Sequence, residues 1–82
     1  MPLKFSAKAA KHRVPRRSIW QVVMTARGSV VTTSWGETGL LYVGVDEHGV
    51  EFEVITVQRG RDELVVHAMA TAERHRRDEK VK

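Results

Sequence analysis

Eighty-two residues without a single cysteine allow one small core, with no disulfide and no thiolate metal site to hold it. No apolar run reaches the roughly 18 residues that a membrane span needs. No apolar signal segment follows Lys4, Lys8 and Lys11 either, so we expect a cytoplasmic, non-secreted protein without a membrane partner. The net charge of +4 hides an asymmetry: residues 1–36 carry Lys4, Lys8, Lys11, Arg13, Arg16, Arg17 and Arg27, whereas all ten acidic residues come later. A positive face built by the N-terminal third suits phosphate, although an acidic protein or plain solubility accounts for it equally.

Met1 to Ser6 alternates weakly and reads as a short first strand. Ser6 is alternatively a cap for a helical turn over Ala7 to Lys11. Val14-Pro15 breaks the chain and starts the next helix, because proline disfavours helical geometry before it and tolerates the first helical turn. From Arg16 to Ala26, Ile19, Val22, Val23 and Ala26 fall at i, i+3, i+4 and i+7, one apolar stripe that Trp20 and Met24 widen. Gly28 is the expected stop.

After Gly28 the period changes to two. Residues 30–35 read as a weak edge strand or an extended loop, and 36–39 as a turn. Leu40 to Val45 and Val50 to Gln58 are strands joined through Asp46-Glu47-His48-Gly49, with glycine where positive φ is expected. In the second of these, Val50, Phe52, Val54 and Thr56 alternate with Glu51, Glu53, Ile55 and Val57, and the glutamate face reads as solvated at its start. Glu63 to Ala70 is the last strand. Alternation places its His67 on one face with Val65 and Met69. A basic helix follows from about Thr71 to Lys80. The expected fold is a single α+β domain over 1–82: two layers, with an antiparallel meander of three to four strands on the N-terminal helix and a basic C-terminal helix.

His67 is the most site-like residue, a lone imidazole in an apolar strand followed by arginines. It reads either as a hydrogen-bonded core histidine or as a general acid–base, since an ordinary imidazole titrates near neutrality. Arg74 and Arg77, three apart on the terminal helix, read as a solvated face or as a phosphate clamp. Lys8, Lys11 and His12 form a second cationic edge on the same two readings. Trp35, in a polar stretch, is the aromatic residue to consider for base stacking; Phe5, Trp20 and Phe52 read as core. The four histidines lack metal-ligand spacing, and the glycines form no phosphate loop, so neither a metal nor another cofactor is expected.

Three segments together resemble the BrnT-like toxins of the RelE-type superfamily of bacterial toxin–antitoxin systems: Phe5-Ser6-Ala7-Lys8-Ala9-Ala10-Lys11-His12, Leu41-Tyr42-Val43-Gly44-Val45-Asp46-Glu47-His48-Gly49-Val50, and Leu64-Val65-Val66-His67-Ala68-Met69-Ala70-Thr71-Ala72-Glu73-Arg74. The order of elements carries the likeness more than any one segment. It implies a small metal-independent endoribonuclease that inhibits translation and is neutralised by a cognate antitoxin, typically a ribbon–helix–helix repressor. On that reading His67, Lys11, His12 and Arg74 are the catalytic candidates, and Lys8, Arg16, Arg17, Arg77 and Trp35 hold RNA. The chain departs from the family twice. Arg13 stands where the family usually has glycine after Lys-His, and Met69 closes a His67-Ala68-Met69 run where Ser-Ala-Arg is common. A non-catalytic RNA- or protein-binding module is the main rival, and an accessory protein without nucleic acid is the third reading.

Overall fold

The structure, a computed structural model, describes residues 3–10 and 13–73, without the side chains of Lys8 and Ala10. Strand β1 (Leu3–Phe5) leads into a 3₁₀ turn (Ala7–Ala10) and helix α1 (Arg16–Thr25); strands β2 (Ser29–Thr32), β3 (Thr38–Val45), β4 (Glu51–Arg59) and β5 (Asp62–Ala70) follow. They form one five-stranded sheet in the order β1-β5-β4-β3-β2. β2 to β5 make the expected antiparallel meander, four strands long. The sheet is nevertheless mixed, because β1 runs parallel to β5, with Leu3 opposite Glu63 and Phe5 opposite Val65. Residues 71–73 are helical, and the rest of the expected basic C-terminal helix lies outside the described residues. No described helix is long and apolar enough to cross a membrane.

Both readings of the N-terminus hold at once. The Ser6 amide donates to the Val65 carbonyl and prolongs the parallel ladder, while the Ser6 hydroxyl accepts from the Ala9 amide and caps the 3₁₀ turn. Pro15 is the residue before the first helical one, and its carbonyl accepts the Ile19 amide. The helix ends earlier than expected, at Thr25, with Ala26 already extended. Gly28 has a different use: a Cβ there would sit 3.0 Å from the Tyr42 ring.

Ile19, Val22 and Val23 of α1 pack onto Tyr42, Phe52, Val54, Val65 and Ala68 of the sheet. Gly44 lets the helix lie close, since a Cβ there would meet the Ala26 methyl at 3.1 Å. The apolar stripe is narrower than expected, for Trp20 and Met24 are 42% and 58% exposed. Asp46 ties the β3–β4 connection to this layer. One of its oxygens accepts the His48 and Val50 amides, and the other accepts the Ser18 hydroxyl at 2.9 Å. Burial opposes the charge on Asp46, but these donors outweigh it and hold the carboxyl below its ordinary pKa.

One irregularity decides which side chains face outward. Between Ile55 and Thr56 the register of β4 on β5 slips: Thr56 lies opposite Val65, but Ile55 lies opposite His67. Val66 is thus an extra residue, a β-bulge. Val65 and Ala68 both reach the core against α1. Simple alternation therefore fails here, and His67 shares the opposite face with Met69 and not with Val65.

Gly39 on β3 has no room for a side chain, since a Cβ would fall 2.7 Å from the Thr56 carbonyl oxygen. Gly39→Ala should lower stability by about 2 kcal/mol in urea unfolding; an unchanged midpoint would show that the β3–β4 pair yields freely there.

Candidate active site and its cationic surroundings

His67 stands on β5, one residue past the bulge. Its Nε2 lies 3.4 Å from Oε2 of Glu53 on β4, within ion-pair reach though longer than a good hydrogen bond. Glu53 was expected on a solvated face. Glu51 is exposed, but Glu53 is only 7% exposed, in register with Val43 on β3 and Met69 on β5. A carboxylate among apolar neighbours is costly unless a partner compensates it, and the imidazole is such a partner. The geometry sets the ring beside a buried carboxylate on one side. Neither the periodicity of β4 nor that of β5 reveals this pair, because it depends on the strand register.

The other candidates scatter. Lys11, His12, Arg74 and Arg77 lie outside the described residues, as does the Lys8 side chain. Arg17 is exposed and 3.6 Å from Glu47. Arg16 borders a cleft of about 460 Å³ between β1, the 3₁₀ turn and the start of α1, lined by Phe5, Ala9, Arg13, Val14 and Ile19 among others. Its guanidinium carbon lies 4.8 Å from the centre of the Phe5 ring, a cation–π distance. Phe5 is thus partly core and partly the wall of a cationic cleft. Arg13, which sequence reading treated as a departure and not as a site residue, is the one non-glycine with positive φ among the described residues, at 54°.

Trp35 is 50% exposed, as a stacking platform would be, but its indole N–H donates to Glu37 at 2.8 Å. Arg59 grips the same carboxylate with both terminal nitrogens. Trp35 is therefore part of a surface brace that links the β2–β3 turn to the end of β4. The hydrogen bonds from Arg59 and Trp35 pull the Glu37 pKa down to about 2.

A second buried carboxylate sits on the helix-facing side. Glu63, 4% exposed, accepts the Thr56 hydroxyl at 2.7 Å and the Tyr42 hydroxyl at 3.1 Å on a single oxygen. No described cation pairs with it. Burial, and then the neighbouring Glu63 charge, push the Tyr42 phenol above its ordinary pKa, so it stays a donor. This cluster is enclosed beneath Gly28 and offers no route to substrate, so we assign it to the packing of β3, β4 and β5. No group of three or more potential metal ligands occurs among the described residues.

Because the Glu37 carboxyl is depressed in the folded state, the stability that it lends is fully present above its unfolded value near 4.5. That stability drains away as pH falls towards 2. Acid titration of Glu37→Gln should show a shallower loss of stability over this window than the wild type does. Parallel curves would mean that the brace contributes nothing in solution.

No protein-family model, no curated protein and no solved structure matches this chain. What it does has to follow from its own side chains and their placement.

Proposed function

We propose that the protein is a toxin-type endoribonuclease that needs no metal ion, with His67 as its proton-transfer group and Glu53 as the residue that positions it. One observation carries this reading: an imidazole held by a buried carboxylate immediately beside a β-bulge, an irregularity that recurs next to active sites. The order of a first strand, a short turn, a helix and a meander supports the resemblance to BrnT-like toxins. The cognate antitoxin is then the natural tight partner and the cytoplasm the compartment.

In the reaction the ribose 2′-oxygen attacks the adjacent phosphorus while its proton passes to a base. The P–O5′ bond breaks, and the departing 5′-oxygen takes a proton from an acid, leaving a 2′,3′-cyclic phosphate and a 5′-hydroxyl. A neutral His67 serves the first transfer or a protonated one the second, and Glu53 favours the ring orientation and the imidazolium. Lys11, His12 and Arg74 remain the sequence candidates for the complementary proton transfer and for charge on the phosphorane. Met69, where the family often has arginine, is buried beside Glu53 in the pair's own face, so no guanidinium enters from that position.

The rival is a non-catalytic RNA- or protein-binding module, and the burial of Glu53 favours it, since a buried ion pair on a sheet also serves packing alone. Purified protein incubated with RNA and EDTA separates the two. On our reading the wild type cleaves, and His67→Ala lowers the rate by 10²-fold or more while the variant still folds and binds RNA. Glu53→Gln lowers it less. Cleavage that persists undiminished in folded His67→Ala would remove His67 from the mechanism, and absence of cleavage in the wild type would favour the binding module.

A further inference from the structure

We infer that the cleft between β1, the 3₁₀ turn and α1 is a binding subsite for single-stranded RNA. In it Arg16 offers a stacking surface to a base, and Arg13 offers charge to the neighbouring phosphate. The inference rests on RNA being the ligand and does not depend on its being cut.

Three observations converge. The cleft, about 460 Å³, is of the size that takes a nucleotide-scale ligand, and none of the described residues that line it is acidic. The Arg16 guanidinium carbon lies 4.8 Å from the centre of the Phe5 ring, a cation–π contact that restrains a side chain otherwise free to sample many rotamers. The guanidinium meets no carboxylate among the described residues, and a restrained guanidinium is a group on which an unstacked base lies readily.

Arg13 supplies the third observation. Its φ of 54° is a conformation that glycine holds freely and that a side chain holds only at a cost. A glycine would serve the backbone better at this point. The chain instead keeps an exposed arginine there, on the lip of the cleft and paired with no described carboxylate. Backbone strain retained under a charged side chain is the pattern of a residue kept for what it contacts. Arg13 and Arg16, three residues apart and both lining the cleft, would then meet a phosphate and its base together.

The test uses the full chain with a short 2′-O-methyl oligoadenylate, which cannot be cleaved through its 2′-oxygen, beside inorganic polyphosphate of matched charge. The wild type should bind the oligonucleotide at least tenfold more tightly than the polyphosphate. Arg13→Gly should weaken oligonucleotide binding about tenfold and reduce the salt slope by about 0.7, without lowering Tm, because the substitution relieves strain. Arg16→Lys keeps the charge but loses the plane, so it should weaken the oligonucleotide about tenfold and leave polyphosphate binding unchanged. Wild-type affinity in both variants, or equal affinity for the two ligands, would overturn the subsite. If the arginine effects appear and the wild type cuts no RNA, the subsite stands and the cleavage reading falls. Cleavage that continues with no oligonucleotide binding removes the subsite alone.

Discussion

The extra residue at Val66 governs what the two faces of the sheet carry. Without it, strict alternation from Val65 would aim the His67 imidazole into the core against α1 and turn Ala68 outward. The slip between Ile55 and Thr56 lets β5 present Val65 to the core, skip a position, and present Ala68 to the same core. The small side chain of Ala68 suits a site under a helix that also approaches closely over Gly44. The same slip brings His67 out beside Glu53, so one backbone irregularity both completes the hydrophobic layer and creates the histidine–carboxylate pair. The core packing and the candidate chemistry are not independent features of this molecule.

Glu53 and Glu63 are buried on opposite sides of the sheet, and they are compensated differently. Glu63 receives two hydroxyl donors, from Tyr42 on β3 and Thr56 on β4, so a single oxygen gathers three consecutive strands of the meander. Hydroxyls satisfy hydrogen bonding but bring no charge, which suits a group whose task is to hold strands in register. Glu53 meets an imidazole, and His67 is only partly buried. An imidazole that reaches solvent beside a buried carboxylate is the feature on which the proposed proton transfer rests, whereas the Glu63 cluster joins strands.

Much of this fold is legible along the chain. Ile19, Val22 and Val23 announce the helix by their spacing, and Gly49 adopts the positive φ expected of it between two strands. What escapes is set by register, not by period. Leu64, Val65 and Val66 are all apolar, so no change of pattern betrays the bulge, and parity assigns His67 to the wrong face. Glu53 looks like an ordinary solvated strand glutamate until β5 is laid beside it. Trp35 stands out as a lone aromatic among polar residues, yet its engagement with Glu37 needs Arg59 from the far end of β4. Arg13 gives no local sign in the sequence, yet its backbone is left-handed, with φ of 54°.

A domain of this size has a small net stability, roughly 5 kcal/mol, so features that cost free energy are few and informative. The chain keeps a buried glutamate beside Met69, which an apolar residue of similar size would replace with gain, and an arginine where glycine would relax the backbone. The Glu63 cluster links three strands and the Glu53–His67 pair joins β4 to β5, so both carboxylates also serve packing. On the far side of β5, β1 pairs with only its first part, through Val65, and the 3₁₀ turn packs alongside. β1 stops level with the bulge, so among the described residues no strand lies beyond the second half of β5. If the proposed function holds, an RNA strand is the ligand suited to both the cleft and His67, since its phosphates and bases repeat along one flexible backbone.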